Sequence, residues 1–76
     1  MVINELLLPG NVLREFYPEG ALKSEAEIKE GKRHGRYREY YENGKLKFRG
    51  EYANNQPKST WKYYTEEGES ERKEKH

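Results

Sequence analysis

Cysteine is absent from this chain, and histidine occurs only at His34 and His76. The first absence excludes disulfides, thiolate catalysis and thiolate-bound zinc. Two imidazoles, one of them terminal, make neither a metal ligand set nor a base paired with a nucleophile at a recognisable spacing. His34 reads as a solvated residue of the basic loop Lys32-Arg33-His34. Long apolar runs are also missing. Val2 to Leu8 is the most apolar stretch and stops at Pro9-Gly10. It lacks a basic flank and is too short for a signal peptide or a membrane span, so a cytoplasmic protein is expected. No segment shows an apolar stripe of helical period. Nor is there an excess of one charge: 15 basic residues face 14 acidic ones, for a net charge of +1. Duplex nucleic acid is therefore not an expected partner. A glycine-rich phosphate loop and a metal-binding carboxylate set are both lacking. No cofactor, metal, catalytic residue or small-molecule substrate site is legible, and the chain is not expected to be an enzyme.

What remains is aromatic and charged. The 76 residues allow one small domain, with 32% hydrophobic and 38% charged residues. Seven Tyr, two Phe and one Trp supply much of the apolar content, and aromatics favour pleated, half-exposed surfaces. The segment from Arg36 to Tyr52 reads as a β-hairpin closed at Asn43-Gly44. A two-residue type I′ turn needs positive φ at both central positions, which Asn and Gly tolerate best. That turn would set Tyr41 opposite Leu46, Glu39 opposite Phe48 and Tyr37 opposite Gly50. One face would then collect Tyr37, Tyr41, Leu46, Phe48 and Tyr52, with Glu39 as a misfit. The other would carry Arg38, Tyr40, Lys47, Arg49 and Glu51.

Weaker copies flank this hairpin. Gly20, Gly44 and Gly68 recur every 24 residues, and the same shift aligns Arg14 with Arg38 and Lys62, and Phe16 with Tyr40 and Tyr64. It also aligns Leu13 with Tyr37 and Trp61, and Leu22 with Leu46. A fixed period without gaps is the signature of a repeat architecture. The expected fold is all-β, about six strands in an antiparallel meander of stacked hairpins forming a single curved sheet. Its parts are an N-terminal edge strand over 1–11, repeats over 12–35 and 36–59, and an incomplete repeat with a polar tail over 60–76. Second turns are expected at Glu30-Gly31 and Asn54-Asn55, and a bulge at Gly35.

The stretch Tyr40-Tyr41-Glu42-Asn43-Gly44-Lys45-Leu46-Lys47 resembles the MORN repeat, and more closely its bacterial variant. Phe16 to Lys23 and Tyr64 to Gly68 are looser copies. The resemblance implies a hairpin meander used as a non-catalytic binding or spacing module. Some bacterial relatives are labelled antitoxins of toxin–antitoxin pairs, so the resemblance also implies an antitoxin-like role. Elsewhere the repeat accompanies membrane-associated proteins.

Two surfaces are candidate sites. An aromatic face of Tyr37, Tyr41, Phe48, Tyr52 and Trp61 has no helix to cover it, so a protein partner or a second copy of the chain is expected there. A homo-oligomer follows from the same argument. On the other face, Arg14, Arg38, Lys47 and Lys62 lie beside Tyr40 and Tyr64, a combination suited to an anionic lipid head group or stacked single-stranded bases. Glu15 and Glu39 fall in one repeat column and read as hydrogen-bond acceptors for neighbouring Tyr or Arg groups.

Overall fold

The computed structural model describes residues 5–8 as backbone and residues 11–76 in full. The expected strand residues 2–4 and the Pro9-Gly10 turn lie outside the described residues. Seven strands form one antiparallel sheet in chain order, and no helix occurs among the described residues. They are β1 (Glu5–Leu8), β2 (Val12–Phe16), β3 (Leu22–Lys29), β4 (Lys32–Tyr40), β5 (Leu46–Ala53), β6 (Gln56–Tyr64) and β7 (Ser70–Lys75). Three hairpins thus supply six strands, and β1 adds the N-terminal edge. Within the polar end of the incomplete repeat, Ser70–Lys75 forms a regular strand, β7.

The turns differ from the simplest reading of Asn43-Gly44. Gly44 N–H donates to the Tyr41 carbonyl at 2.9 Å, and Tyr41 N–H donates to the Lys45 carbonyl at 2.8 Å. The loop therefore holds three residues, and of these only Gly44 takes positive φ, at 89°. This is a turn over Glu42-Asn43 followed by one left-handed residue. It recurs in the other hairpins, where Gly20 and Gly68 bond the carbonyls of Tyr17 and Thr65. The type I′ turns lie at the opposite end of the sheet. There Glu30 and Gly31 (52° and 78°) and Asn54 and Asn55 (50° and 67°) are left-handed in pairs.

An odd loop shifts the register by one residue, and a bulge restores it. Tyr40 opposes Leu46, whereas Glu39 opposes Phe48 and Tyr37 opposes Gly50. The extra residue is Lys47; its equivalents are Lys23 and Glu71. The expected pairings at Glu39 and Tyr37 hold. Those at the turn do not, and two residues change face in consequence. Leu46 joins Tyr40 on the charged face. Lys47 crosses to the aromatic face, 3.5 Å from Glu39 and above the Tyr41 ring. A second irregularity sits in β4 and β6, around Gly35 and Ser59, both with positive φ. Such bulges bend and twist strands.

With no second layer, the core lies on the sheet surface. Trp61 lies across the bare backbone of Gly50 and is 4% exposed; Tyr37 beside it is 7% exposed. The Tyr37 and Trp61 rings stack at 6.0 Å, Phe48 stacks on Tyr63 at 5.4 Å, and Tyr52 meets Trp61 edge-on at 5.1 Å. Each such pair contributes about 0.5–1.5 kcal/mol beyond burial. Guanidinium groups roof the stack, with Arg33 over Tyr37 and Tyr52 and Arg72 over Tyr63. Adjacent hairpins are tied by tyrosine hydroxyls: Tyr17 donates to the Tyr40 carbonyl at 2.6 Å and Tyr41 to the Tyr64 carbonyl at 2.7 Å.

A Cβ at position 50 would overlap the Trp61 indole, whereas one at position 44 meets nothing within 4 Å. Gly50→Ala is therefore expected to destabilise the fold by roughly 1–3 kcal/mol through overpacking, and to expose Trp61. Urea unfolding followed by Trp61 fluorescence measures both effects.

Candidate functional site

The aromatic residues singled out in the sequence do come together, but as a core. Tyr37 and Trp61 are buried, while Tyr41, Phe48 and Tyr52 are half-buried and in contact with neighbouring rings or cations. Glu39 is satisfied there as well, accepting from the Tyr37 hydroxyl at 3.1 Å and pairing with Lys47. Glu15 accepts from the Ser24 hydroxyl at 3.2 Å. Neither carboxylate is set up as an acid–base group. The rings cover one another, so this face needs less cover from a second chain than the sequence implied.

The charged face is the open one. Arg14 opposes Glu25, Glu25 opposes Arg38, Arg38 opposes Arg49, Arg49 opposes Lys62, and Lys62 opposes Lys73. The basic column Arg14, Arg38, Lys62 therefore interleaves with a second column, Glu25, Arg49, Lys73, in one row across β2 to β7. Strands lie about 4.8 Å apart, so four consecutive cations stand side by side. Like charges in directly opposite positions destabilise a sheet. Among the described residues, Arg49, Lys62 and Lys73 make no ion pair. Beside this row runs a less polar one, in which Phe16 opposes Leu22 and Tyr40 opposes Leu46, with Tyr64 opposite Ser70. The sequence reading missed Arg49 and Lys73 as site residues. The signal was available, since pairing Tyr37 with Gly50 and Glu39 with Phe48 forces Arg38 onto Arg49.

Two hollows mark this face, one at each junction between hairpins. The first measures about 180 Å³ and is lined by Val12, Arg14, Glu25, Glu27, Arg36 and Arg38. A shift of 24 residues turns that set into Arg36, Arg38, Arg49, Glu51, Thr60 and Lys62, and these line the second hollow of about 390 Å³. The repeat thus builds the same concavity twice with different charge. In the first, Glu25 receives Arg14 Nε at 2.8 Å, Arg38 Nη1 at 3.7 Å and the Tyr40 hydroxyl at 3.4 Å. In the second, the centre is Arg49, whose Nε donates to the Tyr64 hydroxyl at 3.4 Å.

His34 lies within β4 rather than in a loop, with its Nδ1 withdrawn from solvent and unpartnered among the described residues. No group of three or more His, Asp or Glu suited to a metal occurs among the described residues.

Residues 33–54 match the family model described as the MORN repeat variant. The match spans nearly all of β4, the glycine turn and β5, so the likeness to that repeat falls on the central hairpin. No curated protein and no solved structure matches the chain.

Burial, followed by the Glu39 carboxylate, raises the Tyr37 phenol from 10.0 to about 12. A raised folded-state value means that the stability it contributes is complete below pH 10 and lost as pH rises through about 12. The fold is expected to weaken across that window. Tyr37→Phe should flatten the alkaline limb, as read by urea midpoints between pH 9 and 12 alongside tyrosinate absorbance.

Proposed function

We propose that this chain is a non-catalytic MORN-repeat module that binds a protein partner through its charged face. The observation that carries the reading is the run Arg38, Arg49, Lys62, placed side by side at a cost to stability and lining a hollow, with only Arg38 paired, to Glu25. A packed aromatic core on one face and an open cationic row on the other divide stability from recognition. A hollow receives a protruding side chain, and acidic residues nearby (Glu25, Glu27, Glu51) break the positive field into a local feature suited to a shaped partner. The antitoxin-like role implied by the resemblance is one form of this reading, with the toxin as the partner.

One observation favours a second reading. Phe16, Leu22, Tyr40, Leu46 and Tyr64 flank the cations on the same face, an arrangement that suits an anionic membrane surface, with aromatic groups at head-group depth.

Arg49→Glu separates the two from non-specific adhesion. Proteins captured by the wild-type chain at near-physiological salt should be lost to the variant, by about tenfold or more in affinity, without loss of folding. Equal capture by both chains would reject the charged face as the binding surface. Salt-sensitive sedimentation with phosphatidylserine vesicles, in the absence of a captured protein, would move the assignment to the membrane.

A further inference from the structure

We infer that the hollow between β4, β5 and β6 is a carboxylate-binding site that takes acidic side chains of the partner, as its counterpart between β2, β3 and β4 takes the chain's own Glu25. The inference deepens the reading of the charged face as a partner surface and rests on it.

The argument is an internal comparison. Both hollows are built by the same positions one repeat apart. The first shows what these positions hold: a carboxylate bridged by cations on the strands either side and reached by a tyrosine hydroxyl. The second keeps the cations, as Arg38 and Lys62, and keeps the hydroxyl, as Tyr64. It lacks the carboxylate, because Arg49 stands where Glu25 stood. Three cations face two carboxylates around the first hollow (Arg14, Arg36, Arg38; Glu25, Glu27), whereas four face one around the second (Arg36, Arg38, Arg49, Lys62; Glu51). The change from Glu to Arg therefore removes an internal counter-ion and adds a donor; the second hollow is also the larger, about 390 Å³ against 180 Å³, with the small Thr60 standing where Arg36 stood. Repulsion among directly opposed cations is relieved when carboxylates enter, and the guanidinium forks of Arg38 and Arg49 present paired donors of the right geometry. The charge difference calls for two carboxylates, so an adjacent pair of acidic residues is the matching ligand.

The test titrates the whole chain with a blocked Glu-Glu dipeptide at low ionic strength, following the Nε–Hε resonances of its arginines. Saturable shifts at Arg38 and Arg49, with those of Arg14 and Arg72 unmoved, are expected; a neutral Gln-Gln dipeptide should give none. Arg49→Glu restores the internal counter-ion. It should abolish the shift at Arg38 and raise the thermal midpoint, because the hollow then fills as the first one does. Arg49→Gln removes the charge without supplying a carboxylate and should weaken the dipeptide about tenfold with the fold intact.

Shifts spread evenly over all exposed arginines, or unchanged dipeptide binding by Arg49→Glu, would overturn the site. Tighter binding of inorganic phosphate than of the dipeptide would reassign it to phosphoryl groups and overturn the carboxylate assignment. If the dipeptide binds as expected while partner capture ignores Arg49→Glu, the site stands and the partner-surface reading falls. If capture depends on Arg49 but the dipeptide does not bind, the carboxylate site falls and the surface reading stands.

Discussion

A single sheet has no second layer, so its core consists only of what neighbouring side chains on one face give each other. Here that requirement falls on Trp61 lying flat across Gly50. The indole reaches the backbone because no Cβ stands in its way, and the rings of Tyr37, Phe48 and Tyr52 close around it. Arginine side chains finish the cover by lying over the outer rings, which protects apolar surface while keeping their charge near water. A chain with 38% charged residues thus builds a core from the few groups that are both large and tolerant of partial exposure.

With the aromatic core on one face, the charged face takes no part in it. The period of 24 residues places a cation at the same height on alternate strands, β2, β4 and β6, and the meander interleaves this column with a second one into one spatial row. A row of like charges is a liability in a sheet whose only task is to fold. The chain shows the remedy at its first junction, where Glu25 bridges Arg14 and Arg38, and omits it at the second. That difference within one molecule is what the proposed site rests on: the same positions hold an internal ion pair in one place and the unpaired cations Arg49 and Lys62 in the other.

Much of this was legible in the sequence. The period, the hairpins, the all-β fold, the left-handed second turns and the face shared by Tyr37, Phe48 and Tyr52 follow from glycine spacing and strand alternation. Two features resisted for physical reasons. Asn43-Gly44 suits a two-residue turn, but here Gly44 alone is left-handed and the loop takes three residues. The odd residue is absorbed by a bulge at Lys47, so pairing beyond the bulge matches the simpler turn while Leu46 and Lys47 exchange faces. Alternation by two does not reveal such a compensation. A list of residues also does not show that the flat rings of the aromatic face lie along the sheet and cover one another in part. The cationic row was half-visible: the column Arg14, Arg38, Lys62 follows from the period, and Arg49 follows from the hairpin register.

The ring contacts imply that the aromatic face is complete within one chain. Acrylamide quenching of Trp61 as the protein is diluted, with sedimentation velocity at each concentration, tests it most directly. Trp61 protection that stays constant down to concentrations where the chain is monomeric agrees with a core closed by Tyr37, Phe48, Tyr52 and Gly50 alone. Quenching that rises as an oligomer dissociates would mean instead that the rings owe their cover to a second copy.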